Sequence, residues 1–284
     1  DTPVIYKDTL KDSLWKPRNF SEKFYGPTTL RTALIKSRNL VTIKLLKEIG
    51  IDYAADYAVN MGITTPITRD LSMALGTSGV TLQEMVRGYG IFAAGGKKVK
   101  PYFIKKIVDR TGNIVEENKP ESEQAVDPGI AYITSHLLQE AVKGGTGWRV
   151  RALGRPVAGK TGTTNDLKDA WFMGFTPSLV AGVWVGFDDL QPLGKYETGS
   201  RAASPIFLYF MEKALEGKPV DSFSPPEGVV FAKIDPETGA LAGPDSEKSI
   251  FECFLEGTEP TEPVQDNDDS EDKGFFRYDL DSGQ

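Results

Sequence analysis

The sequence predicts an α+β protein. Segments with helical apolar spacing fill its first half, two strand-length apolar runs follow each other directly at 170–175 and 179–187, and a strongly apolar helix-length segment, 202–215, comes next. Helices, then consecutive strands, then a helix is not the βαβ alternation of a parallel sheet. With 284 residues, 39% of them hydrophobic, the chain is long enough to bury a sizeable core.

The elements follow from local chemistry. Residues 1–26 are mixed, with turns at Lys16-Pro17-Arg18-Asn19 and Tyr25-Gly26-Pro27. Pro27 is expected in a first helical turn, and Leu30, Ala33 and Leu34 give one amphipathic face. A second helix carries Leu40, Ile43 and Leu46 and ends at Gly50. Ser37 and Asn39 therefore sit where two helices meet. A further helix fits 51–60. Thr81 to Ala94 reads as a longer one, with Thr81 as N-cap and Glu84 in capping-box relation. A hairpin is expected from 102–108 and 114–117 around Asp109–Asn113, and a helix from Gly129 to Val142. AWFMGF and LVAGVWVGF flank Thr176-Pro177-Ser178 as two central strands, which the helix at 202–215 could cover. Beyond Gly217-Lys218-Pro219 come a short hairpin through Asp235–Gly239 and a strand near Ile250–Leu255.

Composition removes several classes of function. The formal net charge of −7 argues against a nucleic-acid partner, which needs clustered Lys and Arg. From Glu256 onward ten acidic residues face two basic ones, a net −8, so residues 1–255 carry about +1 and the acidity is an appendage. Low hydrophobicity with high charge makes that tail a candidate for disorder, with Phe275, Phe276 and Tyr278 as conceivable docking residues. The single cysteine, Cys253, permits no internal disulfide and reads as a structural thiol among Phe251, Phe254 and Leu255. One histidine, His136, on a helical segment, rules out a multi-histidine metal site. No run approaches about 18 consecutive apolar residues, and the opening residues lack signal-peptide zones. The chain starts without Met, as a segment of something longer would.

The richest stretch is Gly154–Thr164, GRPVAGKTGTT, and it fits two incompatible patterns. Gly154-x-x-x-x-Gly159-Lys160-Thr161 matches the phosphate-cradling loop G-x-x-x-x-G-K-[ST]. Lys160-Thr161-Gly162 also matches the Lys-Thr-Gly element that accompanies a nucleophilic serine in acyl-transfer enzymes. The flanks decide against a phosphate loop. GWRVRALGR, with three arginines and two glycines, is a poor buried strand; Pro156 removes an amide donor; and Thr161-Gly162-Thr163-Thr164 starts a helix badly. A strand at the lip of a cleft, followed by a hairpin partner, suits the second pattern. Glycine there lets a substrate backbone lie close.

The stretch AGKTGTTNDLKDAWFMGFTPSLVAGVWVGFDD resembles the transpeptidase domain of class A penicillin-binding proteins, bifunctional enzymes of peptidoglycan synthesis. So does FYGPTTLRTALIKSRNLVTIKLLKEIGI, which has Ser37-Arg38-Asn39 in the family's Ser-x-Asn position. Gly144-Gly145-Thr146-Gly147 and ALGTSGVTLQEMVRGYGIFAAGG fit as well, and FECFLEGTEPTEP resembles a C-terminal appendage of some members. The resemblance implies the penicillin-binding and serine β-lactamase-like fold, an antiparallel sheet flanked by helices, incomplete here at the N-terminus. It implies three parts: residues 1–220 as the C-terminal portion of the transpeptidase domain, 221–260 as a small β-rich appendage, and 261–284 as the acidic tail.

The same resemblance implies roles. Ser37 would relay a proton between the nucleophile's lysine and the leaving amine. Asn39 would hydrogen-bond the acyl-donor amide and hold that lysine. Lys160 would tune Ser37 and favour the substrate's terminal carboxylate, which the Thr161 and Thr163 hydroxyls would bind beside Gly162. The Thr163 amide would be one arm of an oxyanion hole. No cofactor or metal is implied. Stem peptides of peptidoglycan and β-lactams would be the ligands, and the location the bacterial cell envelope, at the outer, periplasmic face of the cytoplasmic membrane, anchored through an upstream segment.

One element departs from the family's pattern. Its nucleophile lies in Ser-x-x-Lys on a helix, where the lysine eases deprotonation of the serine. Ser13-Leu14-Trp15-Lys16 matches in letters, but Pro17 pushes Lys16 out of helical geometry, and the segment resembles the family's Trp-x-Pro-x-Asn linker. Ser270-Glu271-Asp272-Lys273 lies in the acidic tail. The nucleophile is therefore expected upstream of Asp1, and a non-catalytic module binding peptidoglycan or partner proteins stands as the competing reading.

Overall fold

The computed structural model describes residues 1–8, 13–243, 246 and 248–263; the acidic tail beyond 263, with Ser270-Glu271-Asp272-Lys273, lies outside them. The chain opens with a ribbon of β1 (Tyr6–Asp8) and β2 (Ser13–Trp15). Helices α1 (Leu30–Lys36), α2 (Asn39–Ile49) and α3 (Ile51–Asn60) follow, then a 3-10 turn over Leu71–Leu75 and α4 (Leu82–Ala93). Next come β3 (Lys97–Val99), β4 (Lys106–Val108), β5 (Ile114–Glu117), β6 (Ser122–Gln124) and α5 (Pro128–Gly144). A three-stranded sheet, β7 (Ala158–Thr163), β8 (Asp169–Thr176) and β9 (Leu179–Gly186), precedes α6 (Ser204–Ala214), and β10 (Val229–Ile234) and β11 (Ile250–Leu255) complete the described elements. Helices first, consecutive antiparallel strands next and a helix after them is the α+β order expected.

The chain divides into two compact units. One comprises residues 1–56 and 66–79 with the segment from Val229; the other comprises 57–65 and 80–228. In the first, α2 buries Leu40, Ile43 and Leu46, the three positions its spacing selects. Helix α1 starts later than Pro27: Thr29 is its N-cap and accepts from the Thr32 amide, leaving Pro27 outside the helix. β10 and β11 pair antiparallel in unbroken register from Val229–Leu255 to Ile234–Ile250. The short hairpin expected through Asp235–Gly239 forms on the other edge of β10: the Asp235 amide donates to the Ala240 carbonyl and the Ala242 amide to that of Lys233, both at 2.9 Å, with the bridge Ile234–Leu241 between them. Cys253 is buried on β11, and burial pushes its thiol up to about 12, as befits a structural rather than a reactive cysteine.

The second unit is organised on the sheet β7-β8-β9, antiparallel throughout, with β7 at one edge and β8 central. Side chains alternate across it. On one face Phe172 meets Phe207 of α6 with ring centroids 4.7 Å apart, inside a core of Val142, Val150, Val157, Ala203, Met211 and Leu215. On the other, α4 covers Met173, Phe175, Val180 and Gly182: Tyr89 stands edge-on to Phe175 at 6.4 Å, and a Cβ on Gly182 would fall 2.9 Å from a Leu82 methyl. Burying such side chains stabilises by about 1.5–3 kcal/mol each. The capping box at the start of α4 forms as expected, with Thr81 and Glu84 exchanging bonds. The pair β3–β6 was not foreseeable; three-residue strands reading KKV and SEQ show no apolar alternation.

Candidate active site

Lys160, Thr161, Gly162 and Thr163 all lie on β7, in register with Met173, Phe172, Trp171 and Ala170 of β8. The Lys-Thr step is thus inside a strand, and Gly154, with φ of 69°, closes a 3-10 turn; neither is the loop-to-helix geometry a phosphate cradle needs. β7 begins buried, at Ala158 and Gly159, and grows more open toward Thr163. Gly159 is fixed by packing, since a Cβ there would approach Phe172 to 2.8 Å. Among the described strands β7 pairs only with β8, so its outer backbone edge is outside any ladder.

Alternation places Thr161 and Thr163 on the α6 face of the sheet and Lys160 on the α4 face, opposite buried Met173. That position strips water from the ammonium, and burial holds the Lys160 pKa down to about 8. Its Nζ donates to the carbonyl of Thr161 at 3.1 Å. The Thr161 hydroxyl donates to Thr146 Oγ1 at 2.6 Å, which ties β7 to the turn after α5. The hydroxyl oxygen of Thr163 accepts from the Gly199 amide at 3.0 Å. Gly199 itself lies so close to the sheet that a Cβ would stand 2.3 Å from the Trp171 carbonyl oxygen and 2.4 Å from that of Gly162. Thr146 and Gly199 were not assigned roles from the sequence. Each contact joins residues far apart in the chain, and the only local signals are the glycine-threonine steps Gly145-Thr146-Gly147 and Thr198-Gly199.

Ser37 and Asn39 share the α1–α2 junction, as their spacing implied. Ser37 caps α1 in the left-handed conformation, φ 54° and ψ 56°, which is uncommon for a residue with a side chain, and it is exposed. Asn39 opens α2, and its Nδ2 donates to the carbonyl of Arg18 at 3.0 Å. Between them Arg38 lies 3.2 Å over the Tyr25 ring. The junction is therefore a shaped corner, with Ser37 turned out by its backbone. Ser13 lies on strand β2, not on a helix that would bring Lys16 one turn away.

Helices on both faces of an antiparallel sheet, with Lys-Thr-Gly-Thr on its edge strand, define the penicillin-binding transpeptidase fold. The crystal structure of penicillin-binding protein 1A from Haemophilus influenzae matches it with a TM-score of 0.86 at 30% identity, covering 93% of this chain and 45% of that one. The PonA1 protein of Mycobacterium tuberculosis, solved in complex with penicillin V, matches at 0.69 with 25% identity over 79% of this chain and 65% of its own. Residues 5–212 match the penicillin binding protein transpeptidase domain, and 225–267 match the C-terminal domain of penicillin-binding protein 1A. The chain belongs to the penicillin-binding protein transpeptidase family, and to its class A branch. Penicillin-binding protein 1A of Pseudomonas aeruginosa is 36% identical over 314 aligned positions, 92% of this chain and 38% of that protein. Its counterpart in Aquifex aeolicus is 41% identical over 256 positions, 90% and 35%. The chain thus spans less than two fifths of the length of these relatives.

Proposed function

We propose that this chain carries the substrate-binding wall of a serine-type D,D-transpeptidase, which cross-links peptidoglycan stem peptides at the outer, periplasmic face of the cytoplasmic membrane and is acylated by β-lactams. The observation that carries the reading is β7: an edge strand, paired among the described strands with β8 alone, that carries Lys160 on one face and Thr161 and Thr163 on the other, on either side of Gly162 along one edge. An extended acyl donor can add to such an edge as a further strand, with Gly162 leaving its backbone unobstructed. Its terminal carboxylate is bound by the Thr161 and Thr163 hydroxyls under the charge of Lys160. With a pKa of about 8 that ammonium is mostly protonated at pH 7, and a bound anion keeps it so. The Thr163 amide stabilises the oxyanion of the tetrahedral state.

In this reading the nucleophilic serine attacks the donor carbonyl, Ser37 passes the proton to the departing amine, and Asn39 holds the donor amide. The serine and its lysine come from outside residues 1–284, upstream, together with the membrane anchor. The β2 strand geometry at Ser13 supports that placement. It also motivates the second reading, a non-catalytic module that binds peptidoglycan or partner proteins. Fluorescent penicillin separates the two: a form extended upstream labels covalently, residues 1–284 alone do not, and label retained on Ser13 would overturn the assignment.

A further inference from the structure

In this unit the Nε atoms of Arg149 and Arg87 are both buried without a hydrogen-bond partner; the Arg149 guanidinium lies over the Trp148 ring, which leaves Arg87. It is carried by α4, and its guanidinium lies over Gly62, where an added Cβ would be 3.6 Å from Nη2, 3.7 Å from Cζ and 3.9 Å from Nε. Gly62 has φ of +104°, so the bare backbone there both makes the turn after α3 and leaves room for the arginine. The Arg87 Nε is buried without a hydrogen-bond partner, and no carboxylate among the described residues pairs with the side chain. A buried unsatisfied donor of a charged group is costly and calls for an acceptor.

The space in front of it is a cavity of about 350 Å³, lined by Arg87, Lys98, Val99, Lys100, Glu121, Ser122 and Glu123. Its floor is the β3–β6 pair, whose cross-strand partners neutralise each other. Lys98 Nζ meets Glu123 Oε1 at 2.7 Å and donates to the carbonyl of Asn60 at 3.0 Å, and Lys100 Nζ meets Glu121 Oε2 at 3.2 Å. Three cations against two carboxylates leave one positive charge, and it is that of Arg87.

We propose that this cavity is a binding site for a small monocarboxylate, of the size of an N-acylated amino acid, held by the Arg87 guanidinium. The planar fork of arginine matches a carboxylate in two parallel bonds. The volume is at the small end of ligand pockets. A single surplus positive charge suits a monoanion, and a phosphate dianion would face Glu121 and Glu123 with its second charge uncompensated. Ser122 lines the same space and carries a hydroxyl that can donate.

The test is an NMR titration of the protein with N-acetylglycine, following the Arg87 Nε–Hε signal and the amides of Val99 and Ser122, with neutral N-acetylglycinamide and inorganic phosphate in parallel. The expected result is a saturable shift with N-acetylglycine alone. Arg87→Gln should weaken binding by about tenfold or more, the loss of a charge-assisted pair. Glu121→Gln, which leaves Arg87 intact and removes a competing anion, should tighten it by about threefold. Equal response to the neutral amide, tighter binding of phosphate, unchanged affinity in Arg87→Gln, or no tightening in Glu121→Gln would each overturn the proposal. Should Arg87→Gln fail to fold, the Glu121→Gln arm and the amide control still decide it.

Discussion

Lys160→Met should make the protein more stable at neutral pH, in a way that disappears in alkali. Burial lowers the Lys160 pKa from 10.5 to about 8, and a difference of about 2.5 corresponds to roughly 3 kcal/mol held against the charged form in the fold. Methionine keeps the stem and discards the charge. It also loses the hydrogen bonds of Nζ, about 1 kcal/mol for that to the Thr161 carbonyl, so the net gain at pH 7 is at most about 2 kcal/mol. Below pH 8 both folded and unfolded chains hold the proton, and the penalty is constant. Between pH 8 and 10.5 only the unfolded chain holds it, so wild-type stability from this group rises by up to about 1.4 kcal/mol per pH unit. Above 10.5 the advantage of the variant is gone. Urea unfolding of wild type and Lys160→Met, followed by circular dichroism from pH 6 to 10.5, measures the difference directly. A variant less stable at pH 7, or a difference that does not change with pH, would refute the argument.

Three further perturbations follow from the packing. Gly199→Ala forces a Cβ to within 2.3 Å of the Trp171 carbonyl oxygen and displaces the amide that Thr163 accepts from; a loss of about 1–3 kcal/mol in thermal unfolding, with slower β-lactam acylation of the upstream-extended protein, is expected, and wild-type behaviour in both would contradict the contact. Phe207→Ala empties the centre of the α6–sheet core, where Phe207 is fully buried, and should cost about 3–5 kcal/mol in denaturant unfolding. Glu84→Gln puts an amide where a buried carboxylate accepts from the backbone and hydroxyl groups of Thr64, Thr65 and Thr81, and should cost about 2–4 kcal/mol at pH 7. Those bonds, first among them that from the Thr64 hydroxyl, hold the Glu84 carboxyl far below the usual carboxylate range. Its contribution is therefore complete above the ordinary glutamate pKa of 4.5 and is lost as pH falls below it, so Glu84→Gln should flatten the acid limb of a stability-versus-pH curve.

What could be read in advance was what depends on neighbours in the chain. Thr81 and Glu84 announce the start of α4 because a capping box is complete within four residues, and Leu40, Ile43 and Leu46 mark the buried stripe of α2 because helical spacing alone puts them there. Apolar runs of strand length around a Pro turn gave β8 and β9. The Lys-Thr-Gly-Thr segment was legible as a strand since its flanks excluded a helix start. What stayed hidden depends on residues distant in the chain. Nothing local to Lys160 says that the fold will bury it, nor that Thr146 and Gly199 will meet the two threonines. The β3–β6 pair is polar and short, held by cross-strand ion pairs instead of an apolar face, so Arg87 and its cavity had no pattern to betray them. Pro27 was placed in a helix by its fixed φ, when the nearby Thr29 made the stronger cap.

The central claim is that β7 is the wall against which a transpeptidase substrate or β-lactam is bound. It is tested most directly by the second-order rate of acylation of the upstream-extended protein by fluorescent penicillin, compared with Thr163→Val, which keeps the shape of the side chain and removes its hydroxyl. Covalent labelling of the parent and a rate lower by about tenfold or more in the variant are expected, with a loss of about 1–3 kcal/mol in unfolding from the Gly199 amide left without its acceptor and the variant still folded at the assay temperature. Labelling at the same rate in both would contradict it.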